Sequence, residues 1–398
     1  MNRSILIVLL IIAFDSGGVG LMMPVMPALM REFSVVENVA LMLGVFIAVF
    51  AAMQFIFGPL MGVLSDKFGR KPVLVVSLLI AAIDYLIMAL TPWLWLLFAA
   101  RVVSGIMAAS ITVCMAYVGD VSSDETRTRN FGFAQAAFGL GFLFGPVTGG
   151  LLGTHWVRLP FLGAMGFALI AAILAIIFLP ETRREGTQKL EPRMFNPFAP
   201  LKHIFTLKGL WPVLVIFFAT RIVNQAYGAV LVIFHENRFG WTPAMAGIAI
   251  SLFGACQMLA LTILPGPLSK RFGVRMVVLF GMAIEIVGLT ILSVLSVGFF
   301  SYFLAPLFAT AGIAVPALQS IASESAGADA QGEVQGVLTG LTGLSAIIGP
   351  IGFALLYAAT QMQWDGTVWF TNVLLYLIAL PLLLLLPGRL RAADSKAA

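Results

Sequence analysis

Asp15, Asp84, Arg101, Arg221 and Glu285 are ionisable, and each lies inside a long apolar run of this 398-residue sequence. A charge held in hydrocarbon is costly, so such a residue has one of two uses. It pairs with another buried group and fixes packing, or it binds an ion, a proton or a charged solute. A carboxylate taken out of water favours its neutral form, so competition between a proton and a cationic solute for one buried acid is a sufficient device for exchange. Asp15 and Glu285 suit that use. Arg101 can pair with an acid in its own half of the chain, where Asp15 and Asp84 lie, whereas the run that holds Glu285 has no cation in its interior, Arg275 lying at its cytoplasmic end. Arg221 is near enough to the end of its run to extend its head towards water instead. His155, His203 and His235 fall in loops or at the ends of runs, so a proton crossing the middle would ride on a carboxylate.

The elements that position these groups follow from composition. Apolar residues make up 60% of the chain and charged residues 10%, against about 25% charged in a soluble domain. An α-helix needs about 20 residues to cross a bilayer. Twelve runs of that order are present, at 4–26, 39–61, 73–91, 93–119, 129–153, 158–179, 209–233, 242–266, 274–297, 299–322, 333–358 and 364–387. The expected fold is an all-α membrane protein in two six-helix bundles, 1–180 and 209–398, joined by a polar linker at 181–208. The first run is too long for the apolar part of a cleaved leader and contains Asp15. Cys114 and Cys256 sit inside runs and suggest neither a disulfide framework nor a metal site.

Eighteen of the 23 Lys and Arg residues fall on one side of such a bundle, and Arg31, Arg158 and Arg238 on the other. That asymmetry places both termini in the cytoplasm. It also accounts for the net charge of +5 without nucleic acid. The chain repeats at an offset of 204: Leu64-Ser65 falls on Leu268-Ser269, Phe68-Gly69 on Phe272-Gly273, Asp120 on Glu324, and Gly145-Pro146 on Gly349-Pro350. A parallel repeat of this kind implies two bundles related by an axis along the membrane normal, with a solute site near the midplane between them.

Other residues have placements that suggest roles. The stretch 62–72 reads as a tight turn between two spans and carries Gly62, Asp66, Gly69, Arg70 and Lys71. Asp66 is expected to cap the positive end of a helix from the other half, and Arg70 to pair with Asp120, both links shutting the cytoplasmic side. The alternative is a solvated loop placed only by its charge. Gly141, Gly145, Pro146, Gly149 and Gly150 give one span a smooth face with a possible bend, suited to close helix approach. Gln54, Asn224, Gln225, Gln257 and Gln319 are polar groups available to a solute or to a neighbouring helix.

The pattern G-x-x-x-D-x-x-G-R-K at 62–71 resembles the loop between helices 2 and 3 of the major facilitator superfamily. G-x-x-x-G-P-x-x-G-G at 141–150 resembles the antiporter motif of its proton-driven drug-efflux branch, and Arg101-x-x-x-Gly105 the companion motif. Further segments extend the likeness from end to end: Met23-Pro24-Val25-Met26-Pro27, Arg31-Glu32-Phe33, Glu236 to Trp241, Gly312 to Gln319, and Trp364-Asp365-Gly366. Together they resemble the tetracycline/proton antiporters of Gram-negative bacteria. The resemblance implies an inner-membrane exporter, exchanging a cationic magnesium–tetracycline chelate for inward protons and conferring antibiotic resistance. Asp15, Asp84 and Arg101 would handle chelate and proton, with Glu285 in the proton path and Gln54, Gln225, Gln257 and Gln319 near the drug. Mg²⁺ would arrive with the substrate, with no resident cofactor and no required oligomer. Glu285 stands where the family more often has aspartate, and Gln257 where some members have histidine. The alternative within the class is a broader multidrug or metabolite antiporter. No H-E-x-x-H, nucleophile elbow or Walker sequence is present, so enzymatic and ATP-driven readings lack a motif.

Overall fold

Hydrocarbon offers no partner to a backbone amide, so a chain this apolar must close its own hydrogen bonds as helices. The computed structural model of the protein describes residues 3–33, 38–182, 209–326 and 330–385. Most of the expected linker, 183–208, lies outside the described residues. In chain order the helices are α1 (Arg3–Met22), α2 (Met26–Arg31), α3 (Val39–Phe68), α4 (Arg70–Leu90), α5 (Leu94–Ile106), α6 (Ser110–Asp120), α7 (Asp124–His155) and α8 (Leu159–Phe178). They continue as α9 (Trp211–Phe239), α10 (Pro243–Ile263), α11 (Pro265–Phe272), α12 (Val274–Val294), α13 (Ala305–Ala311), α14 (Ala314–Ala326), α15 (Gln331–Trp364) and α16 (Thr367–Ala379). They make up twelve membrane-spanning segments. The chain is an all-α, multi-pass membrane protein.

Several helices overrun the apolar runs, because helical hydrogen bonding continues where the sequence becomes polar. The stretch 62–72 is therefore not a loop. α3 continues to Phe68, α4 starts at Arg70, and Gly69 alone turns the chain, at φ 99°. A side chain is strained in that conformation, so glycine is required. Gly273 repeats the turn at φ 83° between α11 and α12. Two spans expected to be continuous are broken near their middles, between α5 and α6 and between α13 and α14. The breaks are 204 residues apart, like the sequence repeat.

Buried side chains form two clusters within residues 7–179 and a third that spans 210–383 and takes in Ala40 from the start of α3. The face carrying Gly69 and Gly273 gathers Lys67, Arg70, Lys71, Arg127, Lys270 and Arg271, and is called here the basic face. Contacts between the halves concentrate towards the opposite, far face. A methyl group at Gly150 would overlap Pro243 O and sit 2.9 Å from Ala244 Cα; one at Gly247 would overlap Pro146 O; one at Gly44 would lie 2.6 Å from Pro350 O. At mid-helix, Phe55 lies against Gly343 and Met258 against Gly139. At the basic face α11 buries none of its residues. The halves are thus closed at the far face and diverge towards the basic face.

Gly150→Ala is expected to lower stability by about 1–3 kcal/mol, because the added methyl forces α7 from α10. Gly166→Ala, at a position with nothing within 4 Å, serves as the control. Thermal midpoints of the purified proteins check this; equal midpoints for the two variants would contradict the packing.

Candidate functional site

The charged groups of the N-terminal half meet in pairs. Arg101 Nη2 lies 3.3 Å from Asp84 Oδ2, and both side chains are 5% exposed. The guanidinium also reaches the sulfurs of Met88 at 3.1 Å and Met22 at 3.4 Å. It stands over the rings of Phe46 and Phe50, at 4.8 and 5.3 Å from their centres, so cation–π attraction supplements the single ion pair. Asp84 is therefore inside the half, under Arg101, and not on the surface between the halves where a solute-binding acid was expected. Asp84 Oδ1, Ser104 Oγ and Arg101 Nε are buried beside it without protein hydrogen-bond partners.

The break between α5 and α6 positions Asp15. Ser77 Oγ donates to Met107 O at 2.5 Å and accepts from Ala109 N at 3.3 Å, replacing the lost helical bonds. The chain then restarts at Ser110, whose hydroxyl donates to Asp15 Oδ2 at 2.6 Å. Gln54 Nε2 reaches Ala108 O in the same break at 3.5 Å. Asp15 is half-buried and so is accessible, unlike Asp84. The C-terminal half repeats the device: Gln257 Nε2 would be 3.2 Å from a methyl on Gly312, and Gly312 is the counterpart of Ala108 at the 204 offset. Each half thus sets an amide side chain beside an interrupted span. The serine-glycine pair Ser104-Gly105 was a legible signal for the first break, since such pairs mark helix kinks.

Glu285, expected in the proton path, does not line the boundary between the halves: it is 4% exposed, inside the C-terminal half. Tyr227 Oη donates to its Oε1 at 3.0 Å and Tyr376 Oη to its Oε2 at 2.7 Å. The Tyr227 ring packs on Trp369 and Phe308, with centres 5.8 and 5.2 Å away. Hydroxyl hydrogens rotate, so the two tyrosines can donate to a carboxylate or accept from the protonated acid. Neither tyrosine was singled out from sequence, although each lies in an apolar run where an aromatic hydroxyl needs a partner. Arg221 stands over Phe217, with its Nε buried and unpartnered. Asn224 Nδ2 donates to Thr220 O at 2.9 Å, a bond within its own helix. Gln225 packs against Gly349, and Gln319 is half-buried on α14.

At the basic face Arg70 is the hub. Its Nε lies 3.1 Å from Asp120 Oδ2, its Nη2 2.8 Å from Asp66 Oδ1, and its Nη1 donates to Ser65 Oγ at 2.6 Å. All belong to the N-terminal half, so the Arg70 bonds to Asp66 and Asp120 do not join the halves. The carboxylate that caps a helix here is Glu181, which the sequence reading missed. It accepts from Arg70 N at 2.9 Å, Lys71 N at 3.0 Å and Thr182 N at 3.0 Å, at the N-terminus of α4. Gly69 is doubly constrained, since a methyl there would lie 2.5 Å from Glu181 Oε2. Lys71 Nζ donates to Ile176 O at 2.8 Å. Gly62 has open space around it, and its carbonyl accepts from Ser65 Oγ at 2.8 Å. Pro180-Glu181-Thr182 follows the sixth apolar run on the same side as residues 69–71, which was the available signal.

The five glycine and proline positions of α7 serve two partners. Gly141, Gly145 and Gly149 lie against α1, where added methyls would overlap Ser16, approach Gly17 O at 2.7 Å, and overlap Leu21 O, respectively. Gly150 and the Pro146 carbonyl face α10, the Pro146 ring lies against Gly20 of α1, and Val147 N donates to Ser251 Oγ of α10 at 3.1 Å.

A family model described as the Major Facilitator Superfamily matches residues 8–242 and 218–398. The chain is 40% identical over 383 residues to the tetracycline resistance protein, class G, of Vibrio anguillarum, covering 96% of this chain and 98% of that one. It is 38% identical over 382 residues to the class C protein of Escherichia coli, covering 96% of each. Among solved structures, a nucleoside transporter aligns with a TM-score of 0.80 at 14% identity, over 96% of this chain and all of that one.

Glu181→Ala removes the acceptor for the first amides of α4, at a cost of about 1 kcal/mol. Amide exchange at Arg70 and Lys71 is expected to quicken about 5-fold, which is that cost expressed as an equilibrium constant. Unchanged exchange at those two amides would contradict the cap.

Proposed function

Because the chain belongs to the Major Facilitator Superfamily, we propose that it is a tetracycline/proton antiporter of the bacterial inner membrane, with both termini in the cytoplasm. It exports the cationic magnesium chelate of the drug in exchange for inward protons. The observation that carries this reading is 38–40% identity over nearly the full length of the chain to tetracycline resistance proteins.

The two six-helix bundles at 1–180 and 209–398 rock about a site between them. In the described state the cleft opens towards the basic, cytoplasmic face. Asp15, half-buried and held by Ser110, attracts the positive charge of the chelate, while Gln54 and Gln257 beside the broken spans offer amides to its polar edge. Mg²⁺ enters and leaves as part of the substrate. Asp84 and Arg101 act from inside the bundle and position the α4–α5 pair behind the site. Glu285, held by Tyr227 and Tyr376, takes and releases the transported proton. Drug and proton thus use acids in different halves, and the conformational change links them. The Arg70 cluster with Asp66, Asp120 and Glu181 keeps the cytoplasmic ends of the N-terminal helices together as the bundles move.

Everted vesicles containing the protein are expected to accumulate tetracycline in the presence of Mg²⁺ and to stop when a protonophore is added. Accumulation that survives collapse of the gradient sinks the antiport reading. The division of labour is checked by two neutral variants. Asp15→Asn should weaken binding of the chelate about 10-fold or more, equivalent to about 1.4 kcal/mol. Glu285→Gln should keep binding within a few-fold, retain downhill counterflow and lose uphill transport. If the two variants exchange these phenotypes, the roles are reversed.

A further inference from the structure

Two segments that carry the family likeness take no part in the site described above: Arg31-Glu32-Phe33 at the end of α2, and Glu236 to Trp241 at the end of α9. They meet at the far face, across the boundary between the halves. Arg31 Nη1 lies 2.6 Å from Glu236 Oε2, and its Nη2 donates to Asn237 Oδ1 at 3.4 Å. Asn237 Nδ2 donates in turn to the hydroxyl of Tyr357 on α15, at 3.2 Å. The neighbouring charges have partners of their own. Glu32 pairs with Arg158 at 2.6 Å, within the N-terminal half, and Arg238 pairs with Asp365, within the C-terminal half. Arg238 Nε also donates to Leu295 O at 2.7 Å. The surrounding acids and cations are therefore matched inside each half, and Arg31 and Glu236 are matched across it.

We propose that Arg31 and Glu236 are positioning residues for export: they lock the far face while the cleft is open to the cytoplasm, and must part for drug to leave. This rests on the export reading. The exposure of the two side chains suits a bond that must break. The Arg31 side chain is 40% exposed and the Glu236 side chain 9%. Arg31 stays hydrated when the pair separates, and Glu236 becomes hydrated as the far face opens, so separation leaves no charge stranded out of water. The bond also lies at the same face as the glycine contacts of α7 with α10 and of α3 with α15, which supply close packing but no charge recognition. A lock placed here selects one register of the closed halves. The bonds of Arg70 to Asp66, Asp120 and Ser65, by contrast, join groups of the N-terminal half.

The test pairs a conformational readout with a transport readout. Spin labels on cysteines at His155 and Met362, at the far ends of α7 and α15, report the separation of the halves by pulsed dipolar spectroscopy, with Cys114 and Cys256 replaced. The unsubstituted background should show a short distance without drug. Arg31→Glu and Glu236→Arg should each shift the population to longer distances and cut maximal export about 5-fold or more, with the drug KM within 2-fold. Combining the two substitutions should restore both. Should either charge reversal fail to fold, Glu236→Gln keeps the side-chain size, and is expected to lengthen the distance in the same direction. Unchanged distances in the single variants, or a double variant no better than the singles, overturn the lock. Because the distances need no drug, a chain that moves no tetracycline would refute the export reading while still deciding the lock.

Discussion

Hydrocarbon supplies neither a counter-charge nor a hydrogen bond, so a charge inside this bundle is costly unless another part of the protein answers it. The molecule answers in three ways. Arg101 is met by a carboxylate, two sulfurs and two aromatic faces. Among the described residues, Glu285 is met by two tyrosine hydroxyls and by no cation. Asp15 is met by one serine hydroxyl and otherwise left half-buried. These environments differ in what they can exchange. A carboxylate enclosed by two rotatable hydroxyls can gain or lose a proton without moving its neighbours. One with a single partner and an accessible side can meet a cation. One fixed beneath a guanidinium can do neither without losing the pair.

The helices must also approach closely enough for these groups to meet. α1 approaches α7 because the facing positions on α7 lack side chains, and α7 approaches α10 across the boundary of the halves for the same reason. The broken spans depend on this packing. An interrupted helix exposes carbonyl and amide groups, which persist within a membrane only where the protein encloses them. Ser77 does so in the N-terminal half, and its bonds to both sides of the break fix where Ser110 begins α6. The position of Asp15 therefore depends, through Ser110, on a serine of α4.

The twelve spans and the offset of 204 were legible because apolar length and repeated punctuation are local properties of a sequence. The helix ends were less so: Gly62 to Phe68 are polar enough to read as a turn, yet the backbone stays helical until Gly69. Partners are a different matter, since they depend on the rotation of each helix about its axis. Arg70 with Asp120 was foreseen from their shared side of the membrane, and the two meet at 3.1 Å. That Glu285 turns into its own half, and that Glu181 caps α4, required the packing of helices far apart in the chain. Tyr227 and Tyr376 gave no charge signal at all, although they decide how Glu285 is held.

The central claim is that drug and proton occupy acids in different halves, linked only through the conformational change. Proton release on adding the magnesium–tetracycline chelate to purified protein in weakly buffered solution tests it directly. The account predicts release from the unsubstituted protein, and no release from Glu285→Gln even when that variant is saturated with drug. Equal release from the drug-saturated Glu285→Gln protein would contradict it, because the proton displaced would then come from an acid other than Glu285.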